Sequence, residues 1–366
     1  MTQPAILLTP GPLTTRPETR QAMLRDWGSR DEAFIALTAE MRQRLLALVH
    51  GEGSHVAVPL QGSGTFIVEA TIATLVGPAD RLLVLVNGAY GERMAAMGHR
   101  LNRQVETLSW NEDQPVDPAR VGRALADDPS ITHVAMVHCE TTTGLLNPLA
   151  EIAAIVLGHG KALLVDAMSS FGALPIDLRR HPATAIMASS NKCLEGVPGL
   201  GFALIDRRAL AAARNVCPSL SLDLCDQWRG FEANGQWRFT PPVQVVAALV
   251  AALRHLEAEG GPPARLRRYQ ENFATLAAGM TGLGFRLFLA PAVQAPIIAT
   301  FHSPAEGWFR FEDFYRALAG RGFLIYPGKL SRADSFRIGC IGAIDPADFQ
   351  RLLAAVADIV GEMKAA

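Results

Sequence analysis

An acid and an amine each follow an apolar run of this sequence, and these two residues are the ones most suggestive of chemistry. Asp166 ends the apolar part of ALLVDAMSSFG, and Lys192 lies near the end of TAIMASSNKC. Both runs are typical of buried parallel strands, so both charges are expected at the carboxyl edge of a sheet, where α/β folds bind their ligands. Position 192 lies 26 residues after position 166. This interval leaves room for one crossover, which predicts neighbouring strands about 5 Å apart.

A buried charge is costly unless it has a partner or a chemical task. A flat heteroaromatic cofactor lying between the two side chains would supply one. Pyridoxal phosphate needs a lysine for its Schiff base and a carboxylate that keeps its pyridine nitrogen protonated. Either residue alone is more often half of a structural ion pair, or a helix-capping acid in the case of Asp166. The cofactor hypothesis therefore requires a third element, a site for the phosphate.

The turn QGSGT, which follows the predicted strand VAVPL, is the candidate phosphate site. It leads directly into a predicted helix, so backbone N–H groups and the hydroxyls of Ser63 and Thr65 would meet at a positive helix end. A dinucleotide is disfavoured, because Val68 replaces the third glycine of that fingerprint and Asn87 stands where such folds offer an acid. A tight turn without a ligand stays an alternative.

Two further motifs follow predicted strands at the same edge of the sheet. Tyr90, in NGAYG, could stack on a pyridine ring or could be an ordinary packed tyrosine. Thr141 begins the threonine cluster of CETTTG, which could offer hydroxyls to a ligand or could signal a turn and a helix start.

The order of the predicted elements indicates an α/β fold. From about residue 32, helical periods alternate with short apolar strands, including RLLVLV, HVAMVH, ALLVD and GFALID. Repeated β-then-α units predict a mostly parallel sheet with helices on both faces. After the break GGPP at 260–263, the chain reads as a helix, three strands and two more helices. We therefore expect a large domain over 1–262 and a smaller α+β domain over 263–366.

The composition favours small-molecule partners. The chain has 366 residues, and 34 Lys and Arg balance 35 Asp and Glu, with no basic stripe for nucleic acid and no amphipathic or polybasic anchor for a membrane. Its five cysteines are scattered, without a C-x-x-C motif, so neither a metal site nor a disulfide framework is expected. The N-terminal residues MTQPAILLTPG do not resemble a signal peptide, and we expect a cytoplasmic protein.

Nine short motifs carry a resemblance that runs nearly end to end. They are LLTPGPLTT at 7–15, PLQGSGT at 59–65, VNGAYG at 86–91, VHCETTTGLLNP at 137–148, VDAMSSFG at 165–172, SNKCLEGVPG at 190–199, QWRFTPP at 236–242, YPGK at 326–329 and FRIGCIG at 336–342. With them the chain resembles the class V branch of the fold-type I pyridoxal-phosphate aminotransferases, and within it the 2-aminoethylphosphonate–pyruvate transaminases. The resemblance implies a seven-stranded, mostly parallel sheet and a reaction that yields phosphonoacetaldehyde and L-alanine.

The resemblance also implies roles for residues of the cofactor site. Lys192 would form the Schiff base and move the proton, Asp166 would pair with the pyridinium, and Tyr90 would stack on the ring. Thr141 would lie near the ring hydroxyl. The phosphate would be bound by Ser63, Gly64, Thr65 and Asn191.

Further roles concern the substrates and a second subunit. Thr240, in RFTPP, corresponds to a residue donated to the neighbouring subunit's phosphate, so the resemblance implies a homodimer with active sites at the interface. Arg337, in FRIG, would bind the substrate carboxylate, and Lys329, in YPGK, is a candidate for the phosphonate. Arg30 departs from the family pattern after DWGS, where an aromatic residue is common, and adds a cation that could alter anion preference.

Three other functions stay open from the sequence. One is an alanine–glyoxylate or serine–pyruvate aminotransferase, a family that shares the cofactor motifs. The others are an inert pyridoxal-phosphate-binding protein and an NAD-dependent oxidoreductase. Donor-dependent formation of alanine would separate the first from the phosphonate reaction, and a protonated Schiff-base absorbance would argue against the last.

Overall fold

The computed structural model describes residues 5–330 and 333–365. Its strands are β1 (Ile6–Leu7), β2 (His55–Gln61), β3 (Arg81–Val86), β4 (Gln104–Ser109), β5 (His133–Val137), β6 (Cys139–Glu140), β7 (Leu145–Leu146), β8 (Ala162–Asp166), β9 (Ala185–Ser189), β10 (Leu200–Asp206), β11 (Ile298–His302), β12 (Phe323–Leu324), β13 (Tyr326–Pro327) and β14 (Ser335–Gly339). Its α-helices are α1 (Pro17–Gln21), α2 (Glu32–Ala47), α3 (Gly64–Leu75), α4 (Ala89–Arg100), α5 (Pro118–Asp127), α6 (Leu149–Gly158), α7 (Arg207–Ala212), α8 (Leu224–Asn234), α9 (Val243–Glu259), α10 (Gly261–Gly282), α11 (Phe311–Gly320) and α12 (Pro346–Ala365).

A seven-stranded sheet in the order β2-β10-β9-β8-β5-β3-β4 forms the centre of the larger layer. Strand β10 is antiparallel to both neighbours, and the other pairs are parallel. Successive residues of each strand alternate between two hydrophobic clusters: Leu163 and Val165 pack on one face, and Leu164 packs on the other. Helices α2, α5, α6 and α9 cover the first face, and α3, α4, α7 and α8 cover the second. The predicted mostly parallel sheet with helices on both faces is confirmed.

A smaller α+β layer follows helix α10. Strands β11, β14 and β13 form an antiparallel sheet whose aromatic residues pack together; the rings of Phe301 and Phe336 stack with centroids 5.6 Å apart. The N-terminal strand β1 pairs with β12 of this layer, and Leu8 lies in its core. The domain boundary at 262/263 stays a prediction, and residues 6–8 pack with the C-terminal layer.

The structure differs from the predicted break at 260–263. Gly260 alone separates α9 from α10, with a left-handed φ of 105°, and Pro262 and Pro263 lie in the first turn of α10. Proline fits there because the first N–H groups of a helix have no partner within the helix. Among the described residues, no helix is long and apolar enough to cross a membrane.

Candidate active site

Asp166 and Lys192 come from neighbouring strands, as the sequence predicts. Strands β8 and β9 pair in parallel, with Asp166 opposite Met187. Asp166 is the last residue of β8, but β9 ends at Ser189, so Lys192 lies in the turn after the strand rather than on it. Ser190 N–H still donates to the carbonyl of Leu200 on β10, and the chain then turns, with Gly196 N–H donating to the carbonyl of Ser190.

A cavity of about 210 Å³ at the carboxyl edge of the sheet contains both charges. Its walls come from the segments that follow five strands, as expected for the carboxyl ends of parallel strands. Eight of the residues singled out from the sequence line this one cavity: Ser63, Gly64, Thr65, Tyr90, Thr141, Asp166, Asn191 and Lys192.

One wall of the cavity is the start of helix α3. Gly64 is the first helical residue, and Ser63 precedes it in an extended conformation. The first N–H groups of a helix have no intrahelical acceptor and form a positive end, which suits a phosphate. Arg93 adds a cation here, since its Nη1 donates to Thr65 Oγ1 at 3.3 Å and its side chain also lines the cavity.

Burial shifts both charged groups towards their neutral forms. It raises the pKa of Asp166 to about 6, although a hydrogen bond from Met168 N–H at 2.9 Å and the charge of Lys192 act in the opposite direction. It lowers the pKa of Lys192 to about 8, against the attraction of Asp166. No nitrogen–oxygen distance between the two side chains is 4.0 Å or less, so they are not in ion-pair contact. Such a separated pair leaves space for a ring between amine and carboxylate.

The N-terminal segment holds the lysine amine. Lys192 Nζ donates to the carbonyl oxygen of Pro10 at 2.7 Å. The segment approaches closely because Gly11, with a φ of 125°, has no side chain; a Cβ there would lie 2.8 Å from Lys192 Cδ. The motif LLTPGPLTT therefore places a hydrogen-bond acceptor at the amine. No local sequence pattern indicates this contact, because it joins residues 182 positions apart.

Tyr90 lies near two cations at the cavity. The Arg93 guanidinium carbon is 4.9 Å from the centre of the Tyr90 ring, and Lys329 Nζ is 5.8 Å from it. Arg93 was missed from the sequence, although its position three residues after Tyr90 on α4 puts both on one helix face.

Glu140 is a second residue that was missed from the sequence. Its side chain is fully buried, where burial raises its pKa to about 7. Its carboxylate accepts hydrogen bonds from Tyr90 N–H at 3.2 Å and from the Thr142 hydroxyl at 2.7 Å. Glu140 thus fixes the backbone at Tyr90 to the threonine turn.

Arg337 lies on β14 of the C-terminal layer and is 1% exposed. Its Nε donates to the carbonyl of Pro327 at 3.0 Å and its Nη1 to that of Thr141 at 2.9 Å. Burial lowers its pKa, against the attraction of Tyr90 and Glu140. Arg337 also lowers the pKa of Lys192, which places its charge near the amine. Its contact with Thr141 ties the predicted substrate arginine to the rim of the cofactor cavity.

Two predicted site residues lie elsewhere in the single chain. Arg30 and Thr240 line a separate cavity with Ser29 and the segment 236–241. Both are exposed. The structure therefore brings these two residues together but does not bring them to the Lys192 cavity of their own chain.

The chain matches the family model of class V aminotransferases over residues 19–328. It is 54% identical to the 2-aminoethylphosphonate–pyruvate transaminase of Pseudomonas putida strain W619, over 100% of this chain and 99% of that protein. It is 56% identical to 2-aminoethylphosphonate–pyruvate transaminase 2 of Burkholderia lata, over 98% and 95%. Among solved structures, the alanine–glyoxylate aminotransferase of Nostoc sp. is similar with a TM-score of 0.91 and 26% identity, covering 98% of this chain and 96% of that one.

Proposed function

This chain belongs to the class V aminotransferase family, whose cofactor is pyridoxal phosphate, and we propose that it transfers the amino group of 2-aminoethylphosphonate to pyruvate. The products are phosphonoacetaldehyde and L-alanine. The observation that carries the proposal is one cavity that holds a separated carboxylate and amine, Asp166 and Lys192, beside the start of helix α3. The full-length similarity to transaminases of this name supports the choice of donor.

The residues of the cavity fit the cofactor chemically. The helix start at Ser63, Gly64 and Thr65 suits a phosphate monoester, with the Asn191 side chain on the same wall. Asp166 is buried, and within the described part of the chain its carboxylate accepts one hydrogen bond, from Met168 N–H. A protonated ring nitrogen would be a cationic partner for this carboxylate and would offset the cost of burying its charge. Tyr90 offers a ring face for stacking, and the buried Thr141 lines the cavity, where it would lie near the ring hydroxyl.

When bound, pyridoxal phosphate supplies an electron sink for the carbon that loses a proton. Lys192 acts as the base at that carbon, because a pKa of about 8 leaves part of the amine neutral near neutral pH. The Pro10 carbonyl holds Nζ in place whenever the amine is free. Asp166, which is 6% exposed, would hold the proton on the ring nitrogen in surroundings that largely exclude water.

Both substrates end in an anion, and the structure gathers cations where such an anion would lie. Arg337 is proposed to bind the pyruvate carboxylate, since guanidinium groups match carboxylates. Lys329 and Arg93 lie near the Tyr90 ring and are the cations proposed for the phosphonate. Arg30 is exposed in the other cavity, so in this proposal it could act only on the site of a second subunit.

We also propose that the chain forms a homodimer. Thr240 is exposed and lies with Arg30, away from the Lys192 cavity of its own chain. The neighbouring Phe239 is 46% exposed, and Phe66, beside the helix start, is 52% exposed. An interface that covers both would bring Thr240 to the partner's phosphate. Dimers that contain one Lys192→Ala chain and one Thr240→Ala chain should then have one intact site of their two, so half of their sites should regain wild-type cofactor affinity.

A cytoplasmic location is also proposed, supported by five free cysteines.

A donor screen tests the proposed reaction. The holoenzyme is incubated with pyruvate and one donor at a time, and alanine is measured; glyoxylate with alanine or serine tests the alternative aminotransferases. We expect 2-aminoethylphosphonate to give the largest kcat/KM, with Lys192→Ala as the inactive control. A larger value for serine or for alanine with glyoxylate would replace the proposed function with the second one.

A further inference from the structure

A buried cluster of charges adjoins the Lys192 turn and is outside the cavity. We call it the Glu195 cluster; it consists of Glu195, Glu259, Arg265, Arg268 and Tyr269. The side chains of Arg265 and Tyr269 are fully buried, and Glu195 is 2% exposed. So many buried ionic groups require a reason, because a hydrophobic cluster of similar volume would hold the same elements together at least as well.

Glu195 lies three residues after Lys192 and closes the turn. Its N–H donates to the carbonyl of Lys192 at 2.8 Å. Its φ of 59° is left-handed, which is unfavourable for a residue with a side chain. The backbone is kept in this conformation by what the carboxylate binds. Glu195 Oε1 accepts hydrogen bonds from Arg268 Nη2 at 2.6 Å and from the Tyr269 hydroxyl at 2.7 Å.

The two arginines extend from helix α10 in different directions. Arg265 Nη1 donates at 2.5 Å to the carbonyl of Cys193, the residue after the lysine. Arg268 Nη1 donates to the carbonyls of Gly342 at 2.6 Å and Ile344 at 2.9 Å. These two carbonyls follow β14, the strand that carries Arg337. Glu259 accepts from both arginines, through Arg265 Nε at 2.8 Å and Arg268 Nε at 2.9 Å.

We propose that Glu195 is a positioning residue, which fixes the Lys192 turn relative to the strand of Arg337 through Arg265 and Arg268. The inference rests on the proposed function, in which Lys192 moves a proton while Arg337 holds the substrate anion. Both groups must then be correctly placed at the same time. None of the five residues of the Glu195 cluster lines the cavity; the cluster joins the backbone at residues 192–195 to the backbone at residues 342–344.

Glu195→Gln is the main test, and Glu40→Gln is its matched control. Glu40 also accepts hydrogen bonds from two arginines, Arg44 and Arg254, but it joins helices α2 and α9 away from the cavity. Because a misplacement of about 1 Å can cost roughly a hundredfold in rate, we expect kcat per bound cofactor to fall roughly tenfold to a hundredfold in Glu195→Gln. We expect Glu40→Gln to keep the wild-type value.

Two measurements separate positioning from simple stabilisation. The first is visible circular dichroism of the bound cofactor, which reports its orientation without any substrate; it should change in Glu195→Gln and not in Glu40→Gln. The second is a double-mutant cycle with Arg337→Lys on the kcat/KM for pyruvate. The two changes should be non-additive, because both disturb one geometry, whereas Glu40→Gln with Arg337→Lys should be additive.

Tyr269→Phe keeps the proposal testable if Glu195→Gln does not fold. This variant removes one hydroxyl that donates to Glu195 and leaves every charge in place. We expect a several-fold lower kcat and the same change in circular dichroism. An unchanged kcat per bound cofactor with an unchanged spectrum in Glu195→Gln, or in Tyr269→Phe where the former fails to fold, would overturn the proposal. A wild-type protein that binds the cofactor but does not use 2-aminoethylphosphonate would refute the proposed function alone, because the circular-dichroism comparison needs no substrate.

Discussion

The cavity and the Glu195 cluster both contain buried charges, and they treat those charges in opposite ways. In the cavity, the effect of burial outweighs the contacts that favour the charged forms, so the pKa of Asp166 rises to about 6 and that of Lys192 falls to about 8. In the Glu195 cluster, burial alone would also favour neutral groups, but the partners outweigh it. The pKa of Arg268 is raised by Glu195 and Glu259, and the pKa of Glu259 is lowered by the two arginines.

This difference distinguishes a site of chemistry from a structural joint. Ionic groups within hydrogen-bond distance of each other stay charged and fix a geometry. Groups that are buried together but kept apart are ready to gain or lose a proton, as a base or a cofactor partner must be. The two regions are only three residues apart in sequence, at Lys192 and Glu195. The turn between them therefore connects a reactive group directly to a rigid one.

Lys192→Ala should have the largest effect, because it removes the reactive group itself. We expect transamination to fall to background, while the protein folds and retains some affinity for the cofactor through the helix start at Ser63, Gly64 and Thr65. Single-turnover spectra with 2-aminoethylphosphonate measure the loss. Lys161→Ala is the control, since its amine also donates to a proline carbonyl, that of Pro129, on the surface. Steady turnover in Lys192→Ala would exclude this lysine as the catalytic amine.

Arg265→Met should cause the largest loss of stability. Removing one partner from a buried ionic cluster leaves Glu195 and Glu259 undercompensated, which costs about 3–5 kcal/mol in the free energy of unfolding. Urea unfolding of the cofactor-free protein measures it. Arg321→Met breaks the exposed ion pair with Glu362 and should cost less than about 1 kcal/mol. Equal losses in the two variants would mean that the Glu195 cluster behaves as an ordinary surface pair.

Asp166→Asn should lower kcat by roughly a hundredfold to a thousandfold, because a neutral amide does not stabilise a protonated ring nitrogen. Asp166→Glu should be milder, since the charge is kept. Steady-state rates at saturating substrates and cofactor test both variants. A kcat near wild type for the asparagine variant would make Asp166 a structural acid and would remove the contrast with the Glu195 cluster.

Arg337→Ala should reduce kcat/KM roughly tenfold to a hundredfold, the cost of one or two charge-assisted hydrogen bonds to the substrate anion. Arg337→Lys should restore only part of it, because an ammonium cannot present two parallel N–H groups. Both half-reactions are followed by single-turnover spectra. A loss for pyruvate alone would assign the phosphonate to Lys329 or Arg93, or to Arg30 of a second subunit; no loss in either half-reaction would remove Arg337 from the site.

Much of the sheet and one wall of the site could be predicted from local sequence patterns. Short runs of consecutive apolar residues predicted β3, β5, β8 and β10, and the turn QGSGT predicted a helix where α3 begins. The side-by-side placement of Asp166 and Lys192 followed from their spacing. These features depend on local backbone geometry and on the short connections of α/β units, which sequence patterns report well.

The geometry around the lysine could not be predicted, because distant segments determine it. Lys192 leaves the strand and contacts Pro10, and the turn after it is fixed by Arg265 and Arg268, more than 70 residues later. Nothing near Glu195 in the sequence indicates its left-handed φ. Such contacts depend on how the C-terminal layer and the N-terminal segment pack against the sheet, which no local period encodes.

The smallest expected effect concerns how the free energy of unfolding of the cofactor-free protein depends on pH. The pKa of Asp166 is raised to about 6 in the folded chain, against 3.8 for an ordinary aspartate. Between these two values the folded state holds a proton that the unfolded state has lost, so the contribution of Asp166 to stability increases as the pH falls through 6. The gain between pH 8 and pH 5 is on the order of 1 kcal/mol. Asp166→Asn has no carboxylate to protonate and cannot gain this stability.

The free energy of unfolding is therefore measured by urea for wild type and Asp166→Asn, each at pH 8 and pH 5. The change between the two pH values is then compared between the two proteins. Subtracting the variant cancels the titrating groups that Asp166 does not influence, whereas the pKa values of Glu140 and Lys192 depend in part on the charge of Asp166. We expect the variant to be the more stable protein at pH 8, and its advantage to shrink by about 1 kcal/mol at pH 5. An advantage that does not change with pH would mean that Asp166 stays ionised in a compensated environment. The acid of the cavity would then behave like Glu259 of the Glu195 cluster, whose pKa is lowered by its arginine partners, and ion pairing would no longer distinguish the two regions.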